Sequence, residues 1–102
     1  MKRVLFLLLF SCSAYAQQVA VVHINAEFNS NNDWYGLDII EKTKVYNGYI
    51  DNNPKISEKY SITKVPTLIL FKDGAEVYRW EAGLDMTLHV NIKEVQQKID
   101  AL

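Results

Sequence analysis

The sequence predicts a single α/β domain, a four-stranded sheet of mixed parallel and antiparallel strands with helices on both faces, and three observations predict it. Apolar runs at Val19 to Ile24 and Pro66 to Phe71 are short, continuous and rich in Val, Ile and Leu, as in strands covered on both sides. Lys72-Asp73-Gly74 separates the second run from Ala75 to Glu81, and Asp-Gly between two strand-like runs signals a hairpin. Leu88, Ile92, Val95, Ile99 and Leu102 recur at spacings of four, three, four and three residues, which sets them on one helical face.

The chain opens with Met1-Lys2-Arg3, an apolar run from Val4 to Phe10, and small residues at Ala14 and Ala16. A basic start, an apolar stretch too short to span a bilayer and a small-x-small processing site form an export signal. Cleavage is expected after Ala16, giving a signal peptide over residues 1–16, one domain over residues 17–102, and a periplasmic or extracellular location. In a competing reading Cys12 becomes an acylated first residue, because Leu9-Phe10-Ser11-Cys12 loosely resembles a lipoprotein signal. Only then is a membrane a partner.

Beyond the leader, Val19 to Asn25 is the first strand. The polar cluster Asn29-Ser30-Asn31-Asn32-Asp33 offers side-chain acceptors to the free amides of a helix start, and Trp34, Leu37 and Ile40 follow at helical spacing. That helix carries Gly36 and should fade near Lys42. Lys44 to Ile50 is a second strand, and Asn53-Pro54 caps one or two helical turns that end at Tyr60. Pro66 to Phe71 and Ala75 to Glu81 complete the sheet. Asn91 with Glu94 makes a capping-box-like start for the last helix, with Val90 and Val95 as its hydrophobic staple.

Without Lys2 and Arg3 the 11 basic residues become 9 against 12 acidic, a net charge near −3, which disfavours nucleic acid as a partner. Cys12 is the single cysteine and lies in the leader, so the domain must stand on packing without a disulfide. His89 has no second ligand-type residue close in sequence, and neither metal nor any other cofactor is expected. His23, inside a Val/Ile strand, is expected to be a hydrogen-bonded core histidine. Trp34, Tyr35, Tyr78 and Trp80 are expected to serve the core first.

The segment Val65-Pro66-Thr67-Leu68-Ile69-Leu70-Phe71-Lys72-Asp73-Gly74, preceded by Tyr49 to Pro54 and by Lys59 to Ile62, resembles the second half of a thioredoxin, and Ala26-Glu27-Phe28 resembles the approach to that family's redox motif. The resemblance covers Val19 to Leu102. It implies a compact thioredoxin-like fold without the family's N-terminal strand and helix, and a cis peptide before Pro66. It also places Asn29-Ser30-Asn31-Asn32 where the family carries Cys-x-x-Cys, so that Asn29 and Asn32 hold the two cysteine positions. His23 stands in place of the family's buried acid, Asn47 in place of its lysine partner, and the helix that follows the motif is about two turns short.

Thiol-disulfide exchange requires a thiolate that attacks sulfur, which an asparagine amide cannot do. The resemblance therefore implies a redox-inactive module and no enzyme of this class. What remains is the backbone edge at Val65, where family members pair with an extended peptide by strand addition. The candidate peptide-binding residues are Phe28, Asn29, Val65, Pro66 and Thr67, and the expected partner is a protein or extended peptide, in a chaperone-like or adaptor role. Two alternatives stay open at this point: an accessory of a thiol-disulfide oxidoreductase system, and a structural subunit of an exported assembly. The sequence leaves the oligomeric state open.

Overall fold

A computed structural model describes residues 18–102. The leader, its cleavage site and Cys12 lie outside the described residues. The strands are β1 (Val19–Asn25), β2 (Lys44–Tyr49), β3 (Thr67–Lys72) and β4 (Ala75–Glu81), in the spatial order β2-β1-β3-β4. β1 pairs parallel with β2 and antiparallel with β3, and β3 pairs antiparallel with β4. The sheet is mixed and four-stranded, as the sequence predicts.

Turn chemistry and apolar periodicity place the second half. Asp73 and Gly74 form a two-residue hairpin loop with φ of 52° and 85°. Positive φ at both positions is the turn whose twist matches the flanking strands, and it is why an Asx-Gly pair sits there. The helix α2 (Ile92–Asp100) starts at Asn91, whose side chain accepts the Glu94 N–H at 2.8 Å. The reciprocal half of a capping box is not made, because the Glu94 carboxylate accepts the Trp80 indole N–H at 2.9 Å instead. The short helix α1 (Lys55–Lys59) follows Pro54 one residue later than the Asn53 cap implies, with no side-chain cap.

The two sheet faces are covered unequally. On one, Val21, Leu68, Leu70 and Trp80 pack with Val95 and Ile99 of α2 and with Trp34 and Ile40, and all are buried. On the other, among the described residues, α1 alone contributes a helix: Tyr60, at its end, meets Phe71 edge-on with ring centroids 5.8 Å apart. Among the aromatics read as core, Trp34 and Trp80 are buried, whereas Tyr35 and Tyr78 remain exposed. Tyr78 tilts against Trp80 and lies under the Lys98 ammonium, 4.5 Å from its ring centroid.

The α-helix expected after residue 33 is absent. Glu27–Asn32 and Tyr35–Asp38 form two short 3₁₀ segments, and the Asn29 to Asp33 cluster lies within and just after the first rather than capping a helix. Tertiary hydrogen bonds explain the difference. The Trp34 N–H donates to Nε2 of His23 at 3.1 Å and its indole N–H donates to the Val90 carbonyl at 2.9 Å. Trp34 is held in an extended conformation, φ −70° and ψ 126°, which ends any helical ladder through it.

Candidate functional site: an asparagine network beside an apolar groove

The site lies where β1 ends, where the first 3₁₀ segment follows it, and where the chain enters β3 through Pro66. Val65-Pro66 is cis, as the resemblance implies. Of the five residues expected to face a peptide, two, Phe28 and Val65, line one groove. Phe28 is 74% exposed and shares a groove of about 380 Å³ with Val65. Asn29, Pro66 and Thr67 do not line that groove. Thr67 is fully buried with its hydroxyl donating to the Lys64 carbonyl at 2.6 Å, and the Pro66 carbonyl accepts the Ala82 N–H at 3.1 Å. Among the described residues neither main-chain polar group of Val65 has a hydrogen-bond partner.

Asn29 turns inward instead. Its amide donates to Asn25 Oδ1 and to the Met86 carbonyl, both at 3.0 Å, and its Oδ1 accepts from Asn32 at 2.8 Å. Asn25, with no exposed surface, donates to the Asn29 carbonyl at 3.0 Å and to Asp33 Oδ1 at 2.7 Å. Each of these two amides thus uses both its donors and at least one acceptor lone pair, close to the full capacity of the group. Ser30 and Asn31 are exposed and Asn32 is half-buried. Asn29 and Asn32, with Asn25 and Asp33, therefore form a cross-linked polar staple between β1, the 3₁₀ turn and the loop at Met86, and this replaces the expected reading of the cluster as a loop with a helix cap.

His23 is fully buried, as expected. Because Nε2 accepts the Trp34 N–H, Nδ1 carries the proton and donates to Asn47 Oδ1 at 2.8 Å. The side chains at positions 23 and 47 are in direct contact across the β1–β2 pair, and this tautomer satisfies both ring nitrogens. Among the described residues no group of three His, Cys, Asp or Glu side chains is arranged to hold a metal ion, and no helix is long and apolar enough to cross a membrane.

Electrostatics extend the network outward. The Tyr49 hydroxyl donates to Asp33 Oδ2 at 2.5 Å, and acceptance by that carboxylate holds the phenol above its ordinary value of 10. A raised phenol pKa stabilises the fold fully below the unfolded value and loses that contribution as pH rises through the folded value. Ionisation of the half-buried Tyr49 is therefore expected above the ordinary phenol value in an absorbance titration near 295 nm, with Tyr49→Phe removing that late phase. Asp85, beside the groove, is held below the usual carboxylate range by a 2.7 Å contact with His89.

Sequence reasoning missed three contributors: Asn25 belongs to the network, and Leu84 and Met86 line the groove with Phe28; Asp33, read as part of a helix-cap cluster, belongs to the network as well. Leu84 is fully exposed on the loop after β4. An apolar residue between Gly83 and Asp85, outside every periodic pattern, is the signal that could have found it. Asn25, polar at the end of an apolar strand, is the corresponding signal for the network.

No protein-family model matches the chain. It is 60% identical over 30 residues to thioredoxin from Chlamydia trachomatis and 46% identical over 39 residues to thioredoxin from Rickettsia bellii. These stretches span 29% and 37% of the two relatives, and 29% and 38% of this chain. Among solved structures, a mutant thioredoxin from Halobacterium salinarum superposes with a TM-score of 0.66 at 20% identity, over 82% of this chain and 74% of that one. A malaria-parasite thioredoxin-2, described as a component of the protein secretion machinery, gives 0.61 at 18% identity over 84% of each chain. The sheet order, the cis proline at the head of β3 and these similarities together show that the chain has a thioredoxin-like fold.

Proposed function

We propose that this chain is an exported, redox-inactive thioredoxin-like domain that binds an extended polypeptide in the groove beside Val65. The observation that carries the reading is the pairing of two exposed apolar side chains, Phe28 and Leu84, in one groove with the unclaimed main chain of Val65. Apolar side chains in water beside free backbone groups are what strand addition uses: the main chain gives affinity and the flanking pockets give selectivity. The inward turn of Asn29 supports the loss of redox chemistry, since its side chain is committed to three hydrogen bonds. Export rests on the leader pattern alone.

The test uses the product recovered after expression of the full chain, its N-terminus read by mass spectrometry and expected at Gln17. Insulin reduction should not exceed the buffer rate, and turnover above it would overturn the redox-inactive reading. A carboxymethylated, permanently unfolded polypeptide should shift resonances of residues 28 and 64–65 and of Leu84. Phe28→Asp and Leu84→Asp, both at exposed positions, should weaken it by about tenfold or more, each placing a charge where an apolar contact forms, without lowering the melting temperature. Shifts confined to α2 would overturn the groove.

A further inference from the structure

On the sheet face that α1 covers, the described residues form a second groove, which shares no residue with the one at Val65. Register places Lys44 beside Ala20 and Tyr46 beside Val22 on neighbouring strands, so these side chains share one face. The groove encloses about 860 Å³, within the range of about 300–1,000 Å³ typical of small-molecule sites. Val22, Ile24 and Phe71 form its floor, and Ile56 and Tyr60 form the wall on the α1 side. Lys44, Lys55 and Lys59 stand at its edge with a single acid, Glu58. Lys55 and Lys59 are one helical turn apart, and none of the three lysines has a carboxylate within 4.0 Å among the described residues. A local excess of positive charge thus borders an apolar groove in a domain that is negative as a whole.

Charge and polarity select the occupant. A second copy of the chain packed face to face would bring its own three lysines against these. A peptide laid on the floor would set its N–H and C=O groups against Val22, Ile24 and Phe71, whose side chains can pair neither. A hydrocarbon chain has no such groups. We propose that this groove binds a single-chain anionic amphiphile, a long-chain carboxylate, with its chain along Val22 and Ile56 and its head group among Lys44, Lys55 and Lys59.

The experiment titrates the product of the full chain with octanoate, decanoate and laurate below their micellar concentrations, and with methyl laurate, following resonances of Val22 and Ile56. Each added methylene should tighten binding about fourfold. Laurate should bind about tenfold tighter than its methyl ester, because only the carboxylate makes charge-assisted contacts. Lys55→Gln with Lys59→Gln should abolish that preference and leave the ester unchanged. Val22→Asp should weaken both. Equal affinity for acid and ester, no dependence on chain length, or no binding by a product whose circular dichroism shows it folded would each overturn the proposal. Groove shifts that follow protein concentration without ligand would overturn it in favour of self-association.

Discussion

Asn29→Ala should lower the melting temperature by about 4–24 °C, although it removes only one side chain from a turn close to the surface. The substitution leaves Asn25 Oδ1, at a residue with no exposed surface, without its donor, and strips partners from the Met86 carbonyl and the Asn32 amide. A fully buried unsatisfied polar atom costs about 1–3 kcal/mol, and the two partly buried groups add less because water can reach them. In a domain of this size each kcal/mol moves the midpoint by about 4–8 °C. Asn29→Asp should cost at least as much. A carboxylate would face Asn25 Oδ1 and the Met86 carbonyl, both acceptors. Rotating the Asn25 amide would set its oxygen against the Asn29 carbonyl and Asp33 instead. Ser30→Ala, at an exposed neighbour, is the control and should stay within about 0.5 kcal/mol. Thermal denaturation followed by circular dichroism decides it, and a midpoint for Asn29→Ala within about 2 °C of the parent would refute the staple.

Gly36→Ala should be destabilising by about 1–3 kcal/mol or more, the cost of forcing extra volume into a packed core. A Cβ at this position would overlap Cη2 of the Trp34 ring and sit 2.6 Å from its Cζ2. The ring cannot yield cheaply. It is buried in the main core, its indole N–H is bound to Val90, and its backbone N–H is bound to His23. Displacing it would strain the link from β1 to the segment before α2. The near-UV circular dichroism of tryptophan should weaken together with the melting temperature. An unchanged near-UV signal with an unchanged midpoint would mean that the ring has room. At Gly48 an added methyl would lie 3.4 Å from Ile56 Cδ1, an ordinary contact, and alanine should be tolerated far better there.

The strands, the hairpin and α2 were legible because each is set by local chemistry. Continuous apolar runs fixed β1 and β3, Asp73-Gly74 supplied the positive-φ turn that returns the chain as β4, and the spacing from Ile92 to Ile99 fixed the buried face of α2. The same reasoning failed from Asn29 to Ile40. Trp34, Leu37 and Ile40 have helical spacing, yet Trp34 is bonded to His23 and Val90, 11 and 56 residues away in the chain. Periodicity reports which residues seek burial and carries no information on partners that distant.

The candidate site divides along the same line. Sequence by itself determined that the described domain has no thiol, that an asparagine-rich stretch follows the first strand, and that a proline stands at the head of β3. Only the tertiary structure decided what the asparagines do. An Asn-rich stretch before an apolar run has the same composition whether its amides cap a helix or face a neighbouring strand, and the choice rests on Asn25 and Met86 being within reach. Phe28 and Leu84 meet in one groove for a related reason: β1 and β4 flank β3, so the loops at their ends converge beside Pro66. Proximity of that kind is a property of strand order, which no local run of residues encodes.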